Sequence, residues 1–235
     1  MATFSNNSYL YSNLKTIKQI IMDQESIKTR LEELIQTGYT IEISQSISEG
    51  WELFKKKIGE YIGFTALFAL ITVTVGFIPI LGAIGNILIS APLAAGFYIV
   101  ARKIIKNESF EFGSFFDGFQ FFGPLVLASL IMSIFIGIGM ILLLIPGIYL
   151  AVSYILTYQF VIFGKFEFWD AMEASRKLIS KNWFTFFGLI ILLGLINLLG
   201  VIALGIGLLF TIPLSYCTLH IVFSKLFDKE TSITE

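Results

Sequence analysis

The sequence predicts an all-α polytopic membrane protein with six transmembrane helices arranged as three hairpins. Three observations carry this. The chain of 235 residues is 56% hydrophobic and only 14% charged, where soluble domains carry about 25% charged residues. The charges are segregated: 41 residues between Glu60 and Arg102, 47 between Asp117 and Lys165, and 43 between Lys181 and Lys225 hold no Asp, Glu, Lys or Arg. Each window is about twice the roughly 20 apolar residues that one helix needs to cross the hydrocarbon core.

Orientation follows from the basic residues. All 16 Lys and Arg lie before the first window, in the two gaps between windows, or after the last. The positive-inside rule then places both termini and both gaps in the cytoplasm. The 17 acidic residues fall on the same side, so the outer loops are expected to be short and uncharged. No apolar h-region precedes Tyr61, so no cleaved signal peptide is expected. Location in a bacterial inner membrane follows as the expectation. The lipid bilayer is the expected partner, and no nucleic-acid partner is expected.

In chain order, residues 1–45 form a cytoplasmic segment. Within it, Leu14, Ile17, Ile21, Leu31 and Ile35 approximate a 3.6-residue period, and Gly38 is a stop signal. Residues 14–38 are thus an amphipathic helix, free to dock on the membrane domain, on lipid or on a protein partner. Residues 46–227 form the six-helix membrane domain and 228–235 a short cytoplasmic tail.

Each hairpin is preceded by a short amphipathic segment, at 46–57, 109–120 and 166–183. In the first and third, acids precede bases, as the helix dipole favours. Glu52–Lys56 and Glu173–Lys177 have i,i+4 spacing. Trp51, Trp169 and Trp183 all fall in these segments, at the depth expected of interfacial anchors.

Four residues punctuate the windows. Pro92 and Pro213 lie 10 and 12 residues before the next basic side chain and predict mid-membrane kinks. Pro146 and Gly147 lie far from either charged end. They predict an outer turn, with Pro146 opening the fourth helix at its first position, where no hydrogen bond is lost.

The windows contain little chemistry. Their deep polar residues are mainly hydroxyls, and no carboxylate, ammonium or guanidinium marks an ion path. Cys217 and His220 stand at i,i+3, but two ligands do not close a zinc site, which takes four. The single His excludes a multi-histidine iron site. No phosphate-binding Gly-rich loop is present. No catalytic residue, metal or cofactor is expected. Ser129, Ser133 and Gly137 recur every fourth residue and predict a ridge for close helix packing. Tyr154, Tyr158, Asn197 and His220 are candidates to face a cavity, with Tyr154 and Tyr158 at i,i+4 in one continuous helix.

Three stretches carry a family resemblance: LLLIPGIYLAVSY at 142–154, FWDAMEASRKLISKNWFTFFGLIILLGLINLLG at 168–200, and TIPLSYCTLHIVF at 211–223. Over residues 41–227 the chain resembles the bacterial six-helix superfamily of YciC-like proteins and the membrane domain of glycerophosphoryl diester phosphodiesterases. The resemblance implies six helices and an unassigned membrane role. The phosphodiesterase barrel is a separate soluble part and none is expected here, so its activity is not implied. Mitochondrial carriers share a three-hairpin plan, but their charged signature after each proline is absent. LAAGF, GIYLA and LSYCT follow Pro92, Pro146 and Pro213. The functional expectation is a non-enzymatic membrane protein that organises lipid or a membrane complex. A transporter or channel for a small neutral or lipidic solute is the alternative, and a lipid-modifying enzyme the third.

Overall fold

The computed structural model describes residues 24–78 and 81–228, which are helical with no strand among them. Leu14, Ile17 and Ile21 of the N-terminal amphipathic pattern lie outside the described residues. The helices are α1 (24–37), α2 (Ile43–Lys55), α3 (Ile58–Gly76), α4 (Leu81–Ile105), α5 (Phe122–Leu142), α6 (Leu144–Ser153), α7 (Thr157–Gly164), α8 (Phe168–Ser180), α9 (Trp183–Ile202) and α10 (Leu208–Phe227). A 3-10 segment, Phe112–Phe121, leads into α5. Among the described residues, six stretches are long and apolar enough to cross a membrane: α3, α4, the 3-10 segment with α5, α6 with α7, α9, and α10.

Successive apolar helices pack as pairs at glycines. A Cβ on Gly82 would meet the Val75 carbonyl oxygen at 2.5 Å, one on Gly139 the Gly147 nitrogen at 2.9 Å, and one on Gly207 the Gly200 Cα at 2.6 Å. Within each pair the two helices differ. The returning helices α4, α6–α7 and α10 are 67%, 56% and 56% buried over their apolar windows, against 17%, 28% and 22% for α3, α5 and α9. Three inner helices thus form the centre and three outer helices shield them. Pro92, Pro146 and Pro213 all belong to inner helices. That is where neighbours can re-satisfy a backbone group that proline frees. Pro146 stands third in α6, not first, because Leu143 is the N-cap. It still lies in the first turn, whose N–H groups have no intrahelical partner.

The outer helices and the turns expose large apolar side chains, among them Phe77 at 82%, Ile141 at 86% and Leu204 at 90%. Contiguous apolar surface on this scale does not suit water, so it faces hydrocarbon.

The three entry segments differ from one another. α2 is amphipathic: it buries Ser46, Gly50, Leu53 and Phe54 and exposes Glu52 and Lys55. Gly50 lies against Thr218 of α10 so closely that a Cβ would clash with Thr218 Oγ1 and its backbone. Lys225 bonds Glu49 at 2.6 Å across the same contact. The acid–base pair in α2 is Glu52–Lys55 at i,i+3, not Glu52–Lys56. α8 buries Ala171, Met172, Ala174, Ser175, Leu178 and Ile179. Arg176 donates to both carboxylate oxygens of Glu173, at 2.7 and 2.9 Å, and Lys177 stands 3.4 Å away. The hydrogen bonds from Arg176 hold the Glu173 carboxyl below its ordinary range.

The middle entry segment is not an amphipathic α-helix. It is the 3-10 segment, and it lies along α4 through two glycines. A Cβ on Gly96 would collide with the Phe115 carbonyl oxygen, and one on Gly118 with that of Pro92. Lys103 fixes the same contact by bonding Ser114 at 2.9 Å and Asp117 at 3.0 Å.

α1 closes the charged end. Ile27, Leu31 and Leu34 are buried against the membrane domain, and Arg30 Nε bonds the Leu226 carbonyl at 2.9 Å. Gly38, at φ +77°, ends the helix in the left-handed conformation that glycine accepts most readily. Tyr39 donates its hydroxyl to the Leu178 carbonyl at 2.7 Å, and burial pushes its pKa well up.

Of the expected anchors, Trp51 and Trp169 are exposed, at 38% and 54%. Trp183 is half-buried. It stacks on Phe187 and donates Nε1–H to the Tyr149 carbonyl at 3.3 Å.

The two-glycine contact makes a prediction. Gly96→Ala forces the 3-10 segment off α4, an overpacking that costs about 1–3 kcal/mol. Gly113→Ala, where a Cβ meets nothing within 4 Å, is near neutral. Melting temperatures in one detergent should separate the two variants; equal values would show that the segment does not pack this way.

Candidate functional site: a cavity between the inner helices

The site begins with a break. The fourth apolar span is not one helix: α6 ends at Ser153 and α7 begins at Thr157. No proline causes this. Ser175 of α8 inserts its hydroxyl there, accepting from the Leu156 N–H at 3.2 Å and donating to the Ser153 carbonyl at 2.7 Å. A side chain placed in the i→i−4 ladder is a recognised cause of a kink. The three-residue joint turns through 3-10-type bonds, Ile155 to Val152 and Thr157 to Tyr154. Tyr154 and Tyr158 therefore stand on opposite sides of a break, not on one continuous helix.

Beside this joint lies a cavity of about 600 Å³, walled by α3, α4, α5, α6–α7, α9 and α10. That volume is in the range of sites for drug-sized molecules, about 300–1,000 Å³. Its apolar wall includes Phe68, Met132, Ile136, Ile155, Ile212 and Leu219. Its polar groups are the hydroxyls of Tyr98, Tyr154, Tyr158 and Tyr216, those of Ser129, Ser133 and Ser215, and the amide of Asn197. No Asp, Glu, Lys, Arg or His is among the lining residues described.

Several of these polar groups spend their donors locally. Ser133 donates to the Ser129 carbonyl at 2.7 Å and Ser215 to the Thr211 carbonyl at 2.8 Å. Asn197 Nδ2 bonds the Leu193 carbonyl at 2.8 Å and Ser215 Oγ at 2.9 Å. Asn197 Oδ1 is buried and has no partner among the described residues. The wall therefore offers acceptor oxygens to a ligand's hydroxyl or amide.

Two sequence expectations change here. The stripe Ser129, Ser133, Gly137 is not a packing ridge. Ser129 and Ser133 line the cavity, and a Cβ on Gly137 would meet nothing within 4 Å. The close crossing of α5 and α6 uses Gly139 and Gly147, on another face of α5. His220 does not line the cavity; it is fully buried behind it. Its Nδ1 pairs with Gln159 Oε1 at 2.9 Å, and Gln159 Nε2 donates to the Leu219 carbonyl at 3.1 Å. Cys217 turns to another part of the core, with Tyr61, Phe97 and Ile221, and no group of three metal ligands occurs among the described residues.

Tyr154, Tyr158 and Asn197 line the cavity as expected. Tyr98, Ser215 and Tyr216 were missed. For Ser215 a signal existed: it sits across the Gly200–Gly207 turn from Asn197, in antiparallel register. Ser175 was also missed, because a serine on an amphipathic helix carries no mark of the helix it will enter.

Comparison of the chain with protein-family models, with curated proteins and with solved structures gave no match. Fold and surface define the class: an integral membrane protein with six apolar helices, all of which contribute to the lining of one uncharged cavity.

Ser175→Ala tests the joint. It leaves the Leu156 N–H and Ser153 carbonyl without their partner, at about 1–3 kcal/mol for a buried group left unsatisfied. Ser180→Ala, on the exposed face of the same helix, costs little. A melting curve for Ser175→Ala that overlays that of Ser180→Ala would show that the hydroxyl does not hold the break.

Proposed function

We propose that this protein is a non-enzymatic inner-membrane protein that binds a neutral amphipathic molecule, a lipid or a lipid-like solute, in its central cavity. The observation that carries the reading is the cavity wall: apolar and tyrosine-rich, with acceptor oxygens and no formal charge. A carboxylate, phosphate or ammonium entering it would lose its hydration with no counter-charge in return, which is costly. A neutral molecule with one or two hydroxyl or amide groups would lose little and would satisfy Asn197 Oδ1. The resemblance to the six-helix YciC-like superfamily agrees with a membrane role without supplying a ligand. Both termini are cytoplasmic in this reading, since every basic residue lies at one end of the apolar windows.

A second observation bears on partners. α1 spends Ile27, Leu31 and Leu34 on the chain's own membrane domain. A protein partner reached through residues 14–38 would therefore meet the polar face of that helix.

Two measurements test the proposal. Mass spectrometry of protein purified in mild detergent should find a neutral lipid or polyol species bound near one per chain. Ser133→Leu fills the cavity and should displace that species at least tenfold without lowering the melting temperature, while Ile134→Leu, on the exposed face of α5, retains it. Occupancy unchanged by Ser133→Leu overturns the reading. For orientation, Asn107→Cys and Ile145→Cys in a Cys217→Ala background should react with an impermeant maleimide on opposite sides of sealed cells, Ile145→Cys from outside. Outside labelling of Asn107→Cys would reverse the topology.

A further inference from the structure

The central cavity has a neighbour. Toward the basic ends of α4 and α7 lies a second pocket of about 240 Å³, lined by Arg102, Lys103, Lys106 and Lys165 together with Glu108 and Asp117. It is as charged as the central cavity is uncharged, and is a polar vestibule. A layer formed by Tyr98, His220 and Phe163 lies between the two. Tyr98 bounds the cavity and lies 6.5 Å, ring to ring, from His220. His220 lies 5.2 Å from Phe163, which bounds the vestibule with the Arg102 guanidinium 4.4 Å above its ring.

The centre of that layer is polar. Gln159 Nε2 faces a carbonyl, so Gln159 Oε1 is the acceptor and His220 Nδ1 carries the proton. His220 Nε2 is then a buried nitrogen without a partner among the described residues. A purely structural septum would be apolar, because a buried unsatisfied group costs free energy.

The helix that carries this layer is short and bounded by a break at each end. α7 has eight residues and holds both Gln159 and Phe163. At one end is the joint at 154–156, and at the other Lys165 in the left-handed conformation at φ 53°. Thr157 Oγ1 and Ser153 Oγ at the joint are also buried without partners among the described residues, two hydroxyls that this arrangement leaves for another to satisfy. Short elements with a changeable joint at each end are the usual moving parts of gates.

We propose that the cavity continues to the cytoplasm through this layer, that α7 is its inner gate with Gln159–His220 as the closed latch, and that the protein passes its neutral ligand across. The proposal rests on the cavity reading above and adds direction to it. A ligand hydroxyl reaching His220 Nε2 replaces with its own hydrogen bond what opening the latch removes.

Ser215→Cys in a Cys217→Ala background places one thiol on the cavity wall. The probe is the impermeant 2-sulfonatoethyl methanethiosulfonate, applied to right-side-out or inside-out vesicles. From the cytoplasmic face, Gln159→Ala should raise the modification rate at least tenfold, and His220→Ala should do the same if Gln159→Ala does not fold. Rates from the outer face should not change. Cytoplasmic rates equal to those of the parent in both variants, with outer-face reaction retained, overturn the gate and leave the cavity reading standing. A thiol that reacts from neither face in any variant overturns both.

Discussion

Hydrocarbon offers no hydrogen bond to a peptide group, and every irregularity in this protein is placed under that constraint. Two departures of the backbone from α-helix are answered inside the bundle. At 154–156 the answer is Ser175, brought in on a separate helix. At the 3-10 segment it is α4, approached closely enough that Gly96 and Gly118 admit no side chain. Pro92, Pro146 and Pro213 obey the same rule by lying on the three inner helices. The layering of three inner and three outer helices is thus a condition for having any breaks at all.

The layering also accounts for the cavity. An inner span that is broken, as the fourth is between Ser153 and Thr157, cannot pack along its whole length. The gap falls beside the joint, between Tyr154 and Tyr158 on one side and Ser215 and Tyr216 on the other. Because the surrounding windows carry no formal charge, what lines the gap is hydroxyl and amide. The polar contacts this lining can offer are therefore hydrogen bonds, from hydroxyl and amide groups set in an apolar wall. Sites of that kind discriminate well against analogues that lack a matching donor.

The gross fold was legible because its cause is compositional. Charge-free windows long enough for two spans dictate six helices wherever they occur, and Gly38 ended α1 where expected. The local geometry was less legible. The stripe of Ser129, Ser133 and Gly137 has the spacing of a packing face, but spacing says which residues share a face and not what that face meets. Gly139 and Gly147, which do make the α5–α6 contact, lack any such repeat. The break in the fourth span was invisible because its cause lies about twenty residues away, at Ser175. His220 was read as facing the cavity, and only the course of α7 shows it behind the wall with Gln159.

The difference between inner and outer helices has a consequence for synthesis. In every pair the helix made first is the more apolar and the less buried. α3, α5 and α9 can each leave the ribosome and partition into lipid without help. α4, α6–α7 and α10 carry Pro92, Pro146, Pro213 and the joint, and most of the cavity's polar groups, so each emerges with groups that lipid alone does not welcome. Each is then delivered beside a partner already anchored in the bilayer. The chain order thus doubles as an assembly schedule, in which self-sufficient segments act as local chaperones for the functional ones.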